Sequence, residues 1–262
     1  MNRSGMAVMI DGCRLAWQLE GPEDAPVLML SNSLGTAMGM WQLQLAAFTA
    51  RFRVLRYDTR GHGSSDVPAG AYGLDRLGRD ALELLDALSL DRVHLCGLSL
   101  GGMTGQWLSV YAPERFERLV LANTAAFMGP PLGWQTRIDA VLRDGMAGIT
   151  RPVLERWFTP GFLAASPQIL GQVEHQLLAT NAIGYAGCCA AIRDMDLSSV
   201  IGLIPCPTLV ISGTLDPATP PHQGAAMVAA ISGAQGTDLT AAHLSNIERP
   251  AEFSGVVLDF LS

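Results

Sequence analysis

Arg92-Val93-His94-Leu95-Cys96-Gly97-Leu98-Ser99-Leu100-Gly101-Gly102 reads as a short apolar strand, a glycine-flanked serine and the start of a helix. A Gly-x-Ser-x-Gly turn at a strand-to-helix junction is the nucleophile elbow, in which a strained backbone lifts the serine hydroxyl clear of the sheet. Positions without a Cβ at Gly97 and Gly101 let such a turn tighten. The helix that follows directs its unpaired N–H groups at the same spot. Ser99 is therefore a candidate nucleophile, and the flanking chain has to supply a base, an acid and an oxyanion site.

On either side of the elbow, strands alternate with helices. Residues 6–20 alternate apolar and polar around Asp11-Gly12, which signals a hairpin of two edge strands. Residues 26–31 and 52–57 are apolar strands, the first of the buried, parallel-sheet kind. Residues 41–51 carry helical spacing, and residues 74–88 are an amphipathic helix with Leu77, Ala81, Leu84, Leu85 and Leu88 on one face. The elbow helix runs from Leu100 to Tyr111, and residues 116–121 are the next strand. The alternation stops over 125–196, a stretch of helical segments broken by Pro and Gly yet rich in Trp, Phe and Tyr, which fits a helical cap rather than a linker. It resumes with strands at 207–213 and 236–241 and helices at 223–231 and 250–261. The expectation is an α/β chain whose core, 1–124 and 197–262, holds a mostly parallel eight-stranded sheet with helices on both faces. A helical cap, 125–196, is inserted into it. In such a sheet the ligand site lies beyond the C-terminal strand ends.

Composition narrows the chemistry. A length of 262 residues suits one large α/β domain with an insertion, and a net charge of −7 argues against nucleic acid or an anionic membrane as partner. All 17 basic residues are arginine, so Schiff-base and Ser–Lys mechanisms are excluded. The five cysteines, Cys13, Cys96, Cys188, Cys189 and Cys206, lack zinc spacing and read as packed thiols. No metal and no organic cofactor is expected. The N-terminal apolar run is short for a signal peptide and no stretch has membrane-helix length, which points to a cytoplasmic location.

Of the five histidines, His94 lies inside the elbow strand, His62 in a tight turn, His175 on a cap helix and His222 at a helix start. His243 follows the last strand on a loop at the active end of the sheet, which makes it the candidate base. Asp216 follows the preceding strand in Gly213-Thr-Leu-Asp216-Pro217, giving the order Ser, Asp, His expected of this elbow. Asn123, where a competing acid would sit, carries no carboxylate, and Asp194 and Asp196 precede a strand. The oxyanion donors are expected from the Leu100 N–H and from the loop Ser31-Asn32-Ser33-Leu34-Gly35, with Leu34 as donor.

Elbow, acid loop and terminal histidine together resemble the α/β-hydrolase superfamily. Leu30-Ser-Asn-Ser-Leu-Gly35, Arg56-Tyr-Asp-Thr-Arg-Gly-His-Gly63, Arg156-Trp-Phe-Thr159, Cys188-Cys-Ala-Ala-Ile-Arg-Asp194 and Ala241-Ala-His-Leu-Ser-Asn246 look like the 3-oxoadipate enol-lactonase family of the β-ketoadipate pathway. The resemblance implies an α/β-hydrolase fold and a Ser99–His243–Asp216 triad that opens an anionic enol-lactone through an acyl-enzyme. The lactone's carboxylate needs a local donor in an acidic protein, and Trp134, Arg137 and Arg193 in or bordering the cap are the candidates. Two alternatives remain open: a broader carboxylesterase or perhydrolase on the same triad, and a non-catalytic ligand-binding protein on a hydrolase scaffold.

Overall fold

The computed structural model describes residues 2–262. Strands β1 (Arg3–Val8), β2 (Arg14–Glu20), β3 (Val27–Ser31), β4 (Arg53–Tyr57), β5 (Val93–Leu98), β6 (Phe116–Ala122), β7 (Thr208–Gly213) and β8 (Gln235–Leu239) form one sheet. It is eight-stranded, in the order β1-β2-β4-β3-β5-β6-β7-β8. Only the pairs made by β2 are antiparallel; the other neighbours run parallel. The mostly parallel α/β architecture expected from the alternation is therefore present.

The central strands are mostly apolar, as suits strands covered by helices on both faces. Every residue of β5 and β7 is buried, whereas the edge strand β1 is almost entirely exposed. Helix α2 (Leu74–Ala87) presents Leu77, Ala81, Leu84 and Leu85 at helical spacing, and all four are buried. It packs on the elbow helix α3 (Leu100–Tyr111), while α1 (Leu45–Thr49) packs on the closing helix α11 (Pro250–Leu261).

One helix differs from its sequence pattern. Residues 41–51 were expected to be continuous, but a 3-10 turn, Met38–Trp41, precedes a short α1. Trp41 is fully buried and its indole N–H donates to the Asn32 Oδ1 at 2.9 Å. Gln44 meanwhile donates to the Asn246 carbonyl at 2.7 Å. Satisfying both buried groups outweighs helical continuity.

Between β6 and β7 the chain forms five α-helices, α4 (Pro131–Asp144), α5 (Ala147–Trp157), α6 (Pro160–Ala165), α7 (Pro167–Ala179) and α8 (Ala182–Asp194), and a 3-10 turn, Ile201–Leu203. After β7 come α9 (Pro221–Ala230) and, after β8, the short α10 (Ser245–Glu248). No helix among the described residues is long and apolar enough to cross a membrane.

Candidate active site

Ser99 stands between β5 and α3 with φ 56° and ψ −115°. A non-glycine residue held there stores about 1–3 kcal/mol, so its surroundings must impose the conformation. They do so from both ends: the Ser99 N–H donates to the Ala122 carbonyl at 2.9 Å, and its carbonyl accepts the Thr124 hydroxyl at 2.7 Å. A Cβ on Gly97 would collide with the Gly101 carbonyl, and one on Gly101 with the Ser31 carbonyl. The two glycines thus allow the elbow to press against the loop that follows β3.

Asp216, on the loop after β7, is buried and saturated with donors. One oxygen accepts the Ala218 and Thr219 N–H groups at 2.8 and 3.0 Å. The other accepts the Thr219 hydroxyl at 2.6 Å, the Asn123 amide at 3.0 Å and His243 Nδ1 at 2.8 Å. Burial pushes this carboxyl up, but the His243 charge and hydrogen bond, with Thr219, outweigh it and hold it at about 2. Asp216 is therefore ionised at neutral pH and has no proton to give. His243 Nδ1 must be the donor, which leaves Nε2 of the neutral ring free to accept a proton. Asn123, the position of a competing acid, instead serves this one: its amide also donates to the Ala242 carbonyl at 3.1 Å, from a backbone with φ 44°.

The loop after β3 is held at every residue but one. Asn32 donates to the Tyr57 carbonyl at 2.7 Å, and the Ser33 N–H donates to Met40 Sδ at 3.3 Å. Gly35, with φ 76°, donates its N–H to His62 Nε2 at 2.9 Å. Among the described residues the Leu34 N–H has no partner, and Leu34 lines the same cavity as Ser99. Leu100 is the first residue of α3, so its N–H has no intrahelical acceptor either.

Ser99, His243 and Leu34 open on a cavity of about 130 Å³ whose far wall is made by α4, α5 and α8 through Trp134, Arg137, Arg156, Trp157 and Tyr185. That volume is near the roughly 150 Å³ of a cavity that admits benzene, which suits a small molecule better than a long acyl chain. The Arg137 guanidinium lies 4.7 Å over the Trp134 ring, whose indole N–H is fixed to the Met128 carbonyl at 2.8 Å. Arg156 faces the same cavity; burial, and then repulsion from Arg137, push its pKa below the usual value. Neither arginine makes an ion pair among the described residues.

Arg193, the third expected anion donor, lies elsewhere. Its guanidinium is spent on Asp194 at 2.7 Å and on Gln135 at 2.5 Å, and it lines a separate depression with Ile138, Leu142 and Ile183. The buried face of α8 carries Tyr185, Cys188, Cys189 and Ile192, which turns Arg193 outward. Arg156 takes its place beside Arg137 on the cavity wall. A signal for it was present: Arg137 and Arg156 have no acidic residue three or four positions away, whereas Arg143, Arg151 and Arg193 have Asp139, Glu155 and Asp196. Among the described residues no group of three or more His, Cys, Asp or Glu side chains is arranged to hold a metal.

Residues 23–256 match the profile of the Alpha/beta hydrolase family. The chain is similar to 3-oxoadipate enol-lactonase 2 of Acinetobacter baylyi, with 43% identity over 90% of this chain and 89% of that one. Two crystal structures superpose over nearly the whole chain. A hydrolase from Pseudomonas aeruginosa PA01 has TM-score 0.97 and 49% identity, covering 99% of this chain and 98% of that one. The enol-lactonase from Burkholderia xenovorans LB400 has TM-score 0.96 and 43% identity, covering 98% of this chain and 99% of that one.

Proposed function

The chain belongs to the Alpha/beta hydrolase family, a family of ester-hydrolysing enzymes, and we propose that it hydrolyses 3-oxoadipate enol-lactone to 3-oxoadipate in the β-ketoadipate pathway. The observation that carries this reading is the pair Arg137 and Arg156, two guanidinium groups without carboxylate partners on the wall of the cavity that contains Ser99. An acidic chain with 24 Asp and Glu residues has ample carboxylates to neutralise them. Cations left open in a small cavity favour a ligand that brings its own carboxylate, bound through charge-assisted hydrogen bonds. The enol-lactone of the relatives has one beside a five-membered ring.

In this mechanism His243 Nε2 takes the proton of Ser99 as its Oγ bonds to the lactone carbonyl carbon. The carbonyl oxygen becomes an oxyanion held by the N–H groups of Leu34 and Leu100, each otherwise without a partner. The ring C–O bond breaks, and its electron pair leaves on an oxygen that is an enolate, a stable leaving group. His243 returns the proton and the enol becomes a ketone. Water, deprotonated by the same nitrogen, then attacks the acyl carbon, and Ser99 leaves with the proton. Asp216, ionised throughout, orients the ring and stabilises its cationic form. The Arg137–Arg156 wall holds the carboxylate arm, so the ring carbonyl rather than the arm meets Ser99.

The test compares kcat/KM on the enol-lactone with kcat/KM on p-nitrophenyl acetate, in the wild type and in Ser99→Ala. The expected result is a preference for the lactone of at least about 100-fold, and loss of both activities in Ser99→Ala with its thermal transition retained. Preference for the acetate ester would replace the lactonase with a general carboxylesterase. Turnover that survives Ser99→Ala would remove the acyl-enzyme.

A further inference from the structure

The loop that carries His243 is fastened to the cap on both sides of the histidine. On one side the Leu244 N–H donates to the Trp157 carbonyl at 3.0 Å. On the other the Ala242 N–H donates to Glu248 Oε2 at 3.0 Å. The same carboxylate reaches into the cap, where Oε2 accepts the Thr159 N–H at 3.3 Å and Oε1 accepts the Thr159 hydroxyl. Trp157 ends α5 and Thr159 is the N-cap of α6, so residues 156–159 are the short segment that brings Arg156 and Trp157 to the cavity wall.

Glu248 is buried, and among the described residues it forms no ion pair; its partners are two main-chain N–H groups and one hydroxyl. A carboxylate in such a place is costly unless its oxygens are fully used. Both are used, and each bond joins the histidine loop to segment 156–159 or caps that segment.

We propose that Glu248 is a positioning residue that couples the occupancy of Arg156 to the placement of His243. A carboxylate seated on Arg156 pulls on segment 156–159. Through Thr159–Glu248–Ala242 and Trp157–Leu244, that displacement sets the imidazole relative to Ser99. This rests on the reading that Arg137 and Arg156 hold the substrate's carboxylate. Its consequence is that binding of the remote carboxylate appears in kcat, because part of the binding energy is spent on orienting the base. Geometry supports a sizeable effect, since misplacement by about 1 Å far from the chemistry lowers rates by about 100-fold.

Two esters that share a leaving group separate the possibilities: p-nitrophenyl acetate, and the p-nitrophenyl monoester of succinate, which adds a carboxylate. The readout is the ratio of their kcat values in wild type, Arg156→Gln, Glu248→Gln and the double variant. Arg156→Gln is expected to lower the succinate-to-acetate kcat ratio by about tenfold, and Glu248→Gln to lower it by a similar factor while the succinate KM moves by less than about threefold. In the double variant the ratio falls no further than in either single one, because a broken strap has nothing left to transmit. Thr159→Val repeats the Glu248→Gln result and Thr159→Ser restores the wild-type ratio, which guards against a general folding defect in Glu248→Gln. Multiplying effects in the double variant, or an equal loss on both esters in Glu248→Gln, would overturn the coupling and leave the anion site standing. A wild type with no KM or kcat preference for the succinate ester, unaltered by Arg156→Gln, would overturn the anion site itself and the coupling with it.

Discussion

Two of the arginine groups removed from water in this chain are treated in opposite ways. Arg60, in the turn after β4, is 3% exposed and enclosed by acid: Nε and Nη2 grip Asp80 at 2.5 and 2.6 Å, and Nη2 also reaches Asp11 at 2.8 Å. Arg76 closes the cluster on Asp80 at 3.1 Å and Glu83 at 2.6 Å. Arg137 and Arg156 are each half-buried on the cavity wall, repel one another and meet no carboxylate among the described residues. The first group is complete and holds the turn that carries His62 to the sheet. The second is incomplete, and in the proposed reading its counter-charge is the carboxylate of the substrate. Residue type is the same in both; the presence or absence of a partner separates scaffold from site.

The largest effect expected from this contrast lies in the scaffold. Asp80→Ala leaves the buried Arg60 charge with only Asp11, which is partly exposed, and breaking a buried pair in this way costs about 3–5 kcal/mol. Urea unfolding should show that loss, while the folded fraction loses far less kcat/KM on the lactone than Ser99→Ala does, because the cluster reaches the site only through the turn that carries His62. A stability change under about 1 kcal/mol would mean that water reaches Arg60 and that the two groups differ less than their partners suggest.

The next effect is set by pH and belongs to the same turn. Burial, opposed only by the Arg60 carbonyl, lowers the pKa of His62 from 6.5 to about 4. Its neutral Nε2 accepts the Gly35 N–H and so fixes the loop that carries Leu34. Between pH 6.5 and about 4 the unfolded chain binds a proton at this site that the folded chain refuses, so this site makes stability fall as pH falls through that window, by up to about 3 kcal/mol. Unfolding curves of the wild type from pH 7 to 4.5 should be steeper in pH than those of His62→Gln, which keeps an acceptor for Gly35 and does not titrate. Equal slopes would assign the acid sensitivity to other groups.

What could be read from the sequence, and what could not, follows the same division. Ser99, Asp216 and His243 each follow a strand end, and strand ends are marked by apolar runs and by Gly or Pro, so their placement at one end of the sheet is legible in one dimension. Helix α2 is legible too, because its stripe of Leu77, Ala81, Leu84 and Leu85 follows from periodicity alone. The cap is not. Which face of α4, α5 or α8 meets the sheet depends on how the helices rotate against each other, and apolar residues on several faces leave that rotation open. Helical periodicity therefore does not separate Arg193 from Arg137, yet one is spent on Asp194 and Gln135 and the other is stacked on Trp134. The same limit hid Asn123 and Glu248, whose hydrogen bonds to Asp216 and Thr159 join segments far apart in the chain.

The smallest of these effects sharpens the comparison most, because stability and function move in opposite directions. Arg137→Ala removes charge-assisted hydrogen bonds worth about 1.5–3 kcal/mol to a bound carboxylate, which corresponds to a rise of roughly 10- to 100-fold in KM for the lactone. It also removes the cation that repels Arg156 and takes nothing from any acidic partner, so the empty enzyme should melt at the same temperature or slightly higher. Sites kept ready for a ligand commonly show this trade between stability and activity. Arg193→Ala is the control from the same group of helices: it loses an ion pair with Asp194, worth about 0–1 kcal/mol, and a hydrogen bond to Gln135, and KM should change by less than about twofold. If Arg137→Ala lowered the melting temperature by several degrees and left KM alone, the guanidinium would be packing on Trp134 as a structural group. The absence of a carboxylate partner would then cease to mark it as part of a binding site.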